Sequence, residues 1–292
     1  MTSSCLAAFL AAVAASSAVG PTIDIAPGVS MPMASLGGVL SRPSNYSAWL
    51  SPAVGGKALD TALSYGTAVQ TAVGAALASS GLARREVFLT TKIPCCPDGV
   101  AQHTQFSCDD PGAGNATLAL QRDLRELGVA AVDLALLHWP CTDMAQSIAA
   151  YRALEAFQRA GKARAIGVSN FNSSQLAALL AVASIPPAVN QCEFSIGDHD
   201  DATLAFCARH GITYEAYSPL GGLSHVDVLG DADVLAIGAA HGVSAAQVAL
   251  RWVVQQGVPF VTAATNATYM AEDLDLFGFA LSDDEMRTLS AK

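Results

Sequence analysis

No G-x-G-x-x-G run follows any strand-like segment of this chain, so an open dinucleotide-binding sheet would lack its phosphate-gripping turn. Gly112-Ala-Gly114 comes nearest, in a polar stretch with no strand immediately before it. Cations are scarce too. Fifteen Lys and Arg stand against 25 Asp and Glu, and a net charge of −10 excludes an electrostatic grip on nucleic acid or an anionic membrane. Beyond residue 20 no apolar run approaches the ~20 residues of a spanning helix, so no stable membrane span is expected. C-x-x-C spacing is missing, which counts against a metal site although His103 lies near Cys95, Cys96 and Cys108. Composition shifts and internal repeats are also missing, so one domain is expected. What is abundant is apolar surface: 52% of the 292 residues are hydrophobic and 14% charged, which excludes disorder and suits one large core, as in a barrel.

The first twenty residues differ from the rest. Cys5 to Val19 is apolar or small throughout, and small residues at Ser16 and Ala18 suit a signal-peptidase cut after Ala18, although no Lys or Arg precedes the run. Residues 1–18 are therefore expected to be a signal peptide and 19–292 the folded unit, in the secretory lumen or secreted; the alternative is a cytoplasmic protein with an apolar extension. Four N-x-[ST] triplets, at Asn45, Asn115, Asn172 and Asn266, are glycosylation acceptors in such a lumen.

From Met33 onward short β-rich runs alternate with helical patterns. Strands are expected at Met33–Gly37, Ala58–Ala62, Val87–Lys92, Val132–His138, Ala163–Ser169, Ala188–Glu193, Thr213–Tyr217 and Pro259–Ala263. Helices are expected at Ala68–Ser80, Thr117–Leu127, Ser147–Ala160, Ser174–Val182 and Ala245–Gln256, with Gly81, Gly128, Gly161, Gly211 and Gly257 where helices should stop. Such alternation implies parallel strands with right-handed crossovers. Eight units without the glycine fingerprint indicate a closed (β/α)8 barrel of the TIM type.

Chemistry in such a barrel sits at the C-terminal strand ends. Polar residues there are Asp60 and Tyr65 after strand two, Lys92 ending strand three, and His138 ending strand four. Ser169 and Asn170 end strand five, Gln191 lies on strand six, and Tyr217 and Ser218 close strand seven. A buried Lys92 needs an anion, and Asp60 on the adjacent strand is the candidate. An ammonium there would lower the pKa of a neighbouring Tyr65 from about 10. Tyr65 can then give a proton to an oxygen becoming an alkoxide, and His138 can donate a hydrogen bond to the same oxygen.

These residues carry a resemblance. The segments ALDTALSYG (58–66), FLTTK (88–92), VDLALLHWP (132–140), GKARAIGVSNF (161–171), VNQ (189–191) and AYSPLG (216–221), in this order, resemble the aldo-keto reductase family from Met33 to about Met286. The resemblance implies reduction of a small-molecule aldehyde or ketone with NADPH or NADH. It implies a tetrad of Asp60, Tyr65, Lys92 and His138, with Ser169, Asn170 and Gln191 holding the carboxamide. Tyr217 would stack on the nicotinamide, and Ser218 and Leu220 would line the pyrophosphate. Glu272 and Asp273 stand where relatives contact adenine. A monomer is the family's usual state. A non-catalytic nucleotide-binding or partner-binding barrel is the alternative, because some relatives serve as channel-associated subunits.

The chain departs from the family after strand eight. Ala263, Ala264 and Tyr269 occupy the positions of a Lys-Ser pair and an Arg that grip the 2′-phosphate of NADPH. NADPH affinity should therefore fall, with NADH used comparably or instead, unless Arg42 or Lys57 substitutes. The C-terminal substrate loop is nearly absent after Ser282 to Met286, and the loop 140–144 is short. An open, weakly charged mouth would suit small or medium neutral carbonyl compounds. The longer loop 94–114 places Cys95, Cys96 and Cys108 near Cys141. Cys95 and Cys96 are expected to pair with Cys108 and Cys141, partners unassigned, while Cys192 and Cys207 stay buried thiols.

Overall fold

The computed structural model describes residues 21–38, 44–95, 115–222 and 226–292. The expected signal peptide and its cut, Arg42, Cys96, His103, Cys108 and Gly112 to Gly114 lie outside these residues. Eight parallel strands close into a barrel in the order β3 (Ala34–Leu36), β4 (Ala58–Asp60), β5 (Phe88–Ile93), β6 (Val132–Leu137), β7 (Ala163–Ser169), β8 (Val189–Glu193), β9 (Thr213–Tyr217) and β10 (Phe260–Thr262), with β10 pairing back onto β3. Each expected strand is present, with ends that differ by no more than two residues.

A hairpin that the sequence pattern does not announce precedes the barrel. Strands β1 (Thr22–Ala26) and β2 (Val29–Pro32) pair antiparallel around Pro27-Gly28. Gly28 sits at φ 73°, a conformation a side chain would strain. Ile25, Val29 and Met31 pack onto Ala58, Phe88, Leu134, Ala165 and Val189, at and near the N-terminal ends of the strands. The hairpin thus closes the barrel floor and leaves the opposite end as the mouth.

The ten described α-helices are α1 (Tyr46–Leu50), α2 (Thr67–Ser79), α3 (Ala116–Leu127), α4 (Met144–Arg159), α5 (Ser173–Leu180), α6 (Asp201–Arg209), α7 (Ala232–His241), α8 (Ala245–Gln255), α9 (Ala267–Leu274) and α10 (Asp283–Ser290). The five glycines expected at helix stops all have positive φ. No single described helix is long and apolar enough to cross a membrane. The asparagines of the four N-x-[ST] triplets are all helix N-caps. Asn45, Asn115, Asn172 and Asn266 accept backbone N–H groups of α1, α3, α5 and α9 through Oδ1, satisfying donors that each helix start leaves open.

Helices and barrel are also tied by a buried polar chain. Thr61 donates to Gln70 of α2, Gln70 donates to Asp123 of α3, and Thr91 of β5 donates to the other Asp123 oxygen at 2.5 Å. Close α2–α3 approach requires Gly74, where a Cβ would lie 2.4 Å from the Leu127 carbonyl oxygen. Burial pushes the Asp123 carboxyl up to about 7.

Candidate active site

Strands β4, β5 and β6 deliver Asp60, Lys92 and His138 to adjacent points of the mouth. Lys92 Nζ lies 2.5 Å from Asp60 Oδ1 and 3.2 Å from the Thr61 carbonyl oxygen, with both charged side chains almost fully enclosed. Burial alone would favour losing the ammonium proton, but Asp60, Tyr65 and Glu215 together hold it above its ordinary value. Tyr65 ends a 3₁₀ turn, Leu63–Tyr65, and the ammonium stands 5.3 Å from its ring centre. His138 meets the Tyr65 ring edge-on at 5.5 Å. The four expected tetrad residues are brought together.

One detail of that expectation is corrected. Lys92 does pull the Tyr65 phenol down, but burial is the larger effect and Asp60 adds to it, so the net shift is upward. Tyr65 is a phenol that keeps its proton at neutral pH. His138 is pushed well below its usual range, by burial first and then by the Lys92 charge, so the imidazole is neutral.

The residues expected to hold a carboxamide also converge. Ser169 Oγ donates to the Gln191 carbonyl at 2.7 Å. Asn170 Nδ2 donates to Ser169 Oγ and to the His138 carbonyl, each at 3.0 Å, while its Oδ1 accepts from the Tyr217 hydroxyl at 2.8 Å. Asn170 and Ser218 hold φ of 63° and 51°, in the left-handed region that favours glycine. Gly221 N–H donates to the Ser218 carbonyl, and Leu220 packs half-buried against the core. Glu272 and Asp273 lie on another unit, near the end of α9. Asp273 is buried beside Thr262, and burial lifts it to about 7.

Two residues not expected from the sequence, Glu215 and Ser64, complete the surroundings. Glu215 is fully buried on β9, and its Oε2 accepts from Gln191 Nε2 at 2.8 Å. The same Nε2 donates to Asp60 Oδ2 at 3.0 Å. Two carboxyls thus take both amide hydrogens of Gln191, orienting the amide and leaving its Oε1 as an acceptor. Glu215 Oε1 has no hydrogen-bond partner among the described residues, and burial together with Asp60 raises the carboxyl to about 7. A signal for it exists in the sequence: an acid two residues before Tyr217 on an enclosed strand. Ser64 offers none, because its partner lies 74 residues downstream.

A Glu215 carboxyl raised from 4.5 to about 7 binds a proton in the fold that the unfolded chain has released. Its contribution is full below about pH 4.5 and lost as pH rises through about 7, by roughly 3 kcal/mol. His138 opposes this, since its depressed pKa adds stability as pH rises toward 6.5. A difference measurement isolates the carboxyl. Relative to the parent, Glu215→Gln should gain thermal stability between about pH 5 and pH 8. A constant difference in Tm across that range would show that Glu215 is ionised throughout.

Cys95 and Cys141 form a disulfide with Cα atoms 5.4 Å apart, joining the segments that leave β5 and β6. Cys192 and Cys207 are free, and burial raises their thiols to about 12 and about 11. No Lys or Arg occurs in the described connections from strand ends to helices, whereas Asp143, Asp198, Asp200, Asp227 and Asp231 do. Of these carboxylates, Asp231 is paired with Lys292 at 2.8 Å. Lys57 enters β4 from the floor, so it cannot replace a cation at the mouth. Ala263 is exposed, Ala264 is half-buried, and Tyr269 is 62% exposed.

Residues 50–292 match the model of the Aldo/keto reductase family. The chain is 37% identical over 281 residues to Morphine 6-dehydrogenase of Pseudomonas putida, covering 92% of this chain and 90% of that protein. It is 35% identical over 272 residues to an aldo-keto reductase of Mycolicibacterium smegmatis, at the same coverage. The crystal structure of an aldo/keto reductase from Brucella melitensis superposes with a TM-score of 0.79 at 29% identity, over 93% of this chain and 98% of that one. That of a Bombyx mori aldo-keto reductase in complex with NADP does so with 0.80 at 26%, over 94% and 93%.

Proposed function

The chain belongs to the aldo/keto reductase family, an oxidoreductase family acting on small carbonyl compounds with nicotinamide cofactors, and from that premise we propose that it reduces an aldehyde or ketone to the alcohol with Tyr65 as proton donor. The observation that carries this reading is the enclosed Lys92–Asp60 pair beside the Tyr65 ring, with neutral His138 against the same ring. The polar groups of Ser169, Asn170 and Gln191, with the Tyr217 ring, suit a flat amide-bearing ring: Gln191 offers an acceptor, and a bound carboxamide would compete for Asn170. When bound, the reduced nicotinamide supplies hydride to the carbonyl carbon. Tyr65 gives its hydroxyl proton to the oxygen as negative charge gathers there. Lys92 stabilises the phenolate left behind, and Asp60 keeps the ammonium in place. His138 donates a hydrogen bond that orients the same oxygen. Turnover of a small activated aldehyde tests this; activity unchanged in Tyr65→Phe excludes the assigned acid.

The cofactor choice follows from charge. A 2′-phosphate needs cationic donors, and the described residues around Ala263, Ala264 and Tyr269 supply none, while Glu272 and Asp273 lie on the same helix as Tyr269. NADH is the cofactor used comparably or in preference. Titration of both reduced cofactors by fluorescence quenching should give an NADH dissociation constant no weaker than that of NADPH. A clear NADPH preference ends the idea.

A further inference from the structure

Among the polar groups around the tetrad, Ser64 has been given no part so far. It is 1% exposed, on the 3₁₀ turn that also carries Tyr65, and its Oγ lies 2.9 Å from His138 Nδ1. It makes no other side-chain hydrogen bond among the described residues. The His138 backbone is pinned on both sides: its N–H donates to the Ile93 carbonyl at 2.9 Å, and its carbonyl accepts from Asn170. The imidazole stacks on Trp139, with ring centres 3.4 Å apart. What the backbone and the stack leave open is the ring flip and the choice of tautomer.

Counting hydrogens decides both. A neutral imidazole has one N–H donor and one bare nitrogen acceptor, and a serine hydroxyl has one hydrogen to give. If Nδ1 carried the proton, it would donate to Ser64, and the enclosed serine hydrogen would have no acceptor. That arrangement costs the desolvation of a buried donor. If Ser64 donates to Nδ1, both groups are satisfied and the remaining proton sits on Nε2, which no described residue takes. Flipping the ring would set Cδ2 against the hydroxyl and put Cε1 in the place of Nε2, removing the donor altogether.

We propose that Ser64 is a positioning residue that, by donating to Nδ1, holds His138 in the flip state and tautomer that present Nε2–H to the substrate carbonyl oxygen. Its catalytic meaning rests on the reductase reading above; the tautomer itself does not. His138 meets the condition for this, because burial and the Lys92 charge keep the ring neutral.

The test is spectroscopic first. The full chain labelled with ¹⁵N-histidine contains six histidines, and His138 is identified by its loss in His138→Asn. Long-range ¹H–¹⁵N correlation, with and without NADH, should show a protonated Nε2 and a bare Nδ1 for His138 in the parent, and tautomer averaging in Ser64→Ala. Kinetically, Ser64→Ala should lower kcat/KM for the carbonyl substrate about 3- to 10-fold, the loss of one net hydrogen bond, with the NADH dissociation constant unchanged. Ser64→Thr, which keeps the hydroxyl, should recover most of it. A proton on Nδ1 in the parent, or a His138 spectrum unaltered by Ser64→Ala, overturns the proposal. Should the spectra behave as expected while no carbonyl is turned over with either cofactor, Ser64 keeps its role and the reductase reading falls. Turnover that depends on Tyr65 alongside a proton on Nδ1 keeps the reductase reading and removes the role given to Ser64.

Discussion

Tyr65→Phe should reduce kcat for aldehyde reduction by about 10²- to 10⁴-fold, the range for loss of a positioned general acid, and leave cofactor affinity unaltered. The ring remains to fill its place between Lys92 and His138, so the loss belongs to the hydroxyl alone. The raised phenol also sets a sign for pH. A proton retained through neutral pH is one that can be given, so reduction by the parent should hold steady there and decline only as alkaline pH removes it. Alcohol oxidation, which needs the phenolate, should rise over the same alkaline range. Steady-state rates in both directions, with NADH Kd measured alongside, check this. Full activity in Tyr65→Phe, or a reduction rate already falling with pH near neutrality, would remove Tyr65 from the chemistry.

Lys92→Met should cost about 3–5 kcal/mol of folding stability, more than any surface change, because it strands the enclosed Asp60 carboxylate. For a domain whose total stability is on the order of 5–15 kcal/mol, that is a large share. Adding Asp60→Asn removes the stranded charge, so the double variant should recover much of the loss. Urea denaturation of the four proteins closes the cycle, with an interaction energy well above the ~0.5 kcal/mol scatter of independent sites. Additive losses would mean that the two groups do not share one enclosed ion pair. Glu215 gives the double variant a further reason to be steadier, since Asp60 raises its carboxyl and a neutral amide in place of that carboxylate would relax the repulsion.

The barrel is legible in the sequence because each strand is short, apolar and bracketed by a helix with a stop signal, as at Ala163–Ser169 and Thr213–Tyr217, whose bounds match to the residue. The hairpin β1–β2 is not, because its two strands are joined directly at Pro27-Gly28, with no helix and stop signal between them to set it apart. The meeting of Asp60, Lys92, Tyr65 and His138 is readable from one rule, that such strands deliver polar side chains to a common end. Hydrogen-bond partners are not. Gln191 spending both amide hydrogens on Asp60 and Glu215, or Ser64 meeting a ring 74 residues away, depends on how strands tilt around the closed sheet. The direction of the Tyr65 pKa is hidden for a related reason. Charge pairing is visible in a sequence, whereas the depth of burial that outweighs it is not.

The four asparagine caps bear on how any attached sugar would be mapped. The usual knockout exchanges Asn for Gln, and at Asn45, Asn115, Asn172 or Asn266 that exchange also removes the oxygen that closes the first turn of a helix. A penalty of about 1 kcal/mol would then accompany every knockout, with or without a carbohydrate. Changing the third residue of the triplet, as in Thr268→Val, abolishes the acceptor and leaves the cap standing. Comparing the two kinds of substitution at one position would separate what a glycan does from what the amide does.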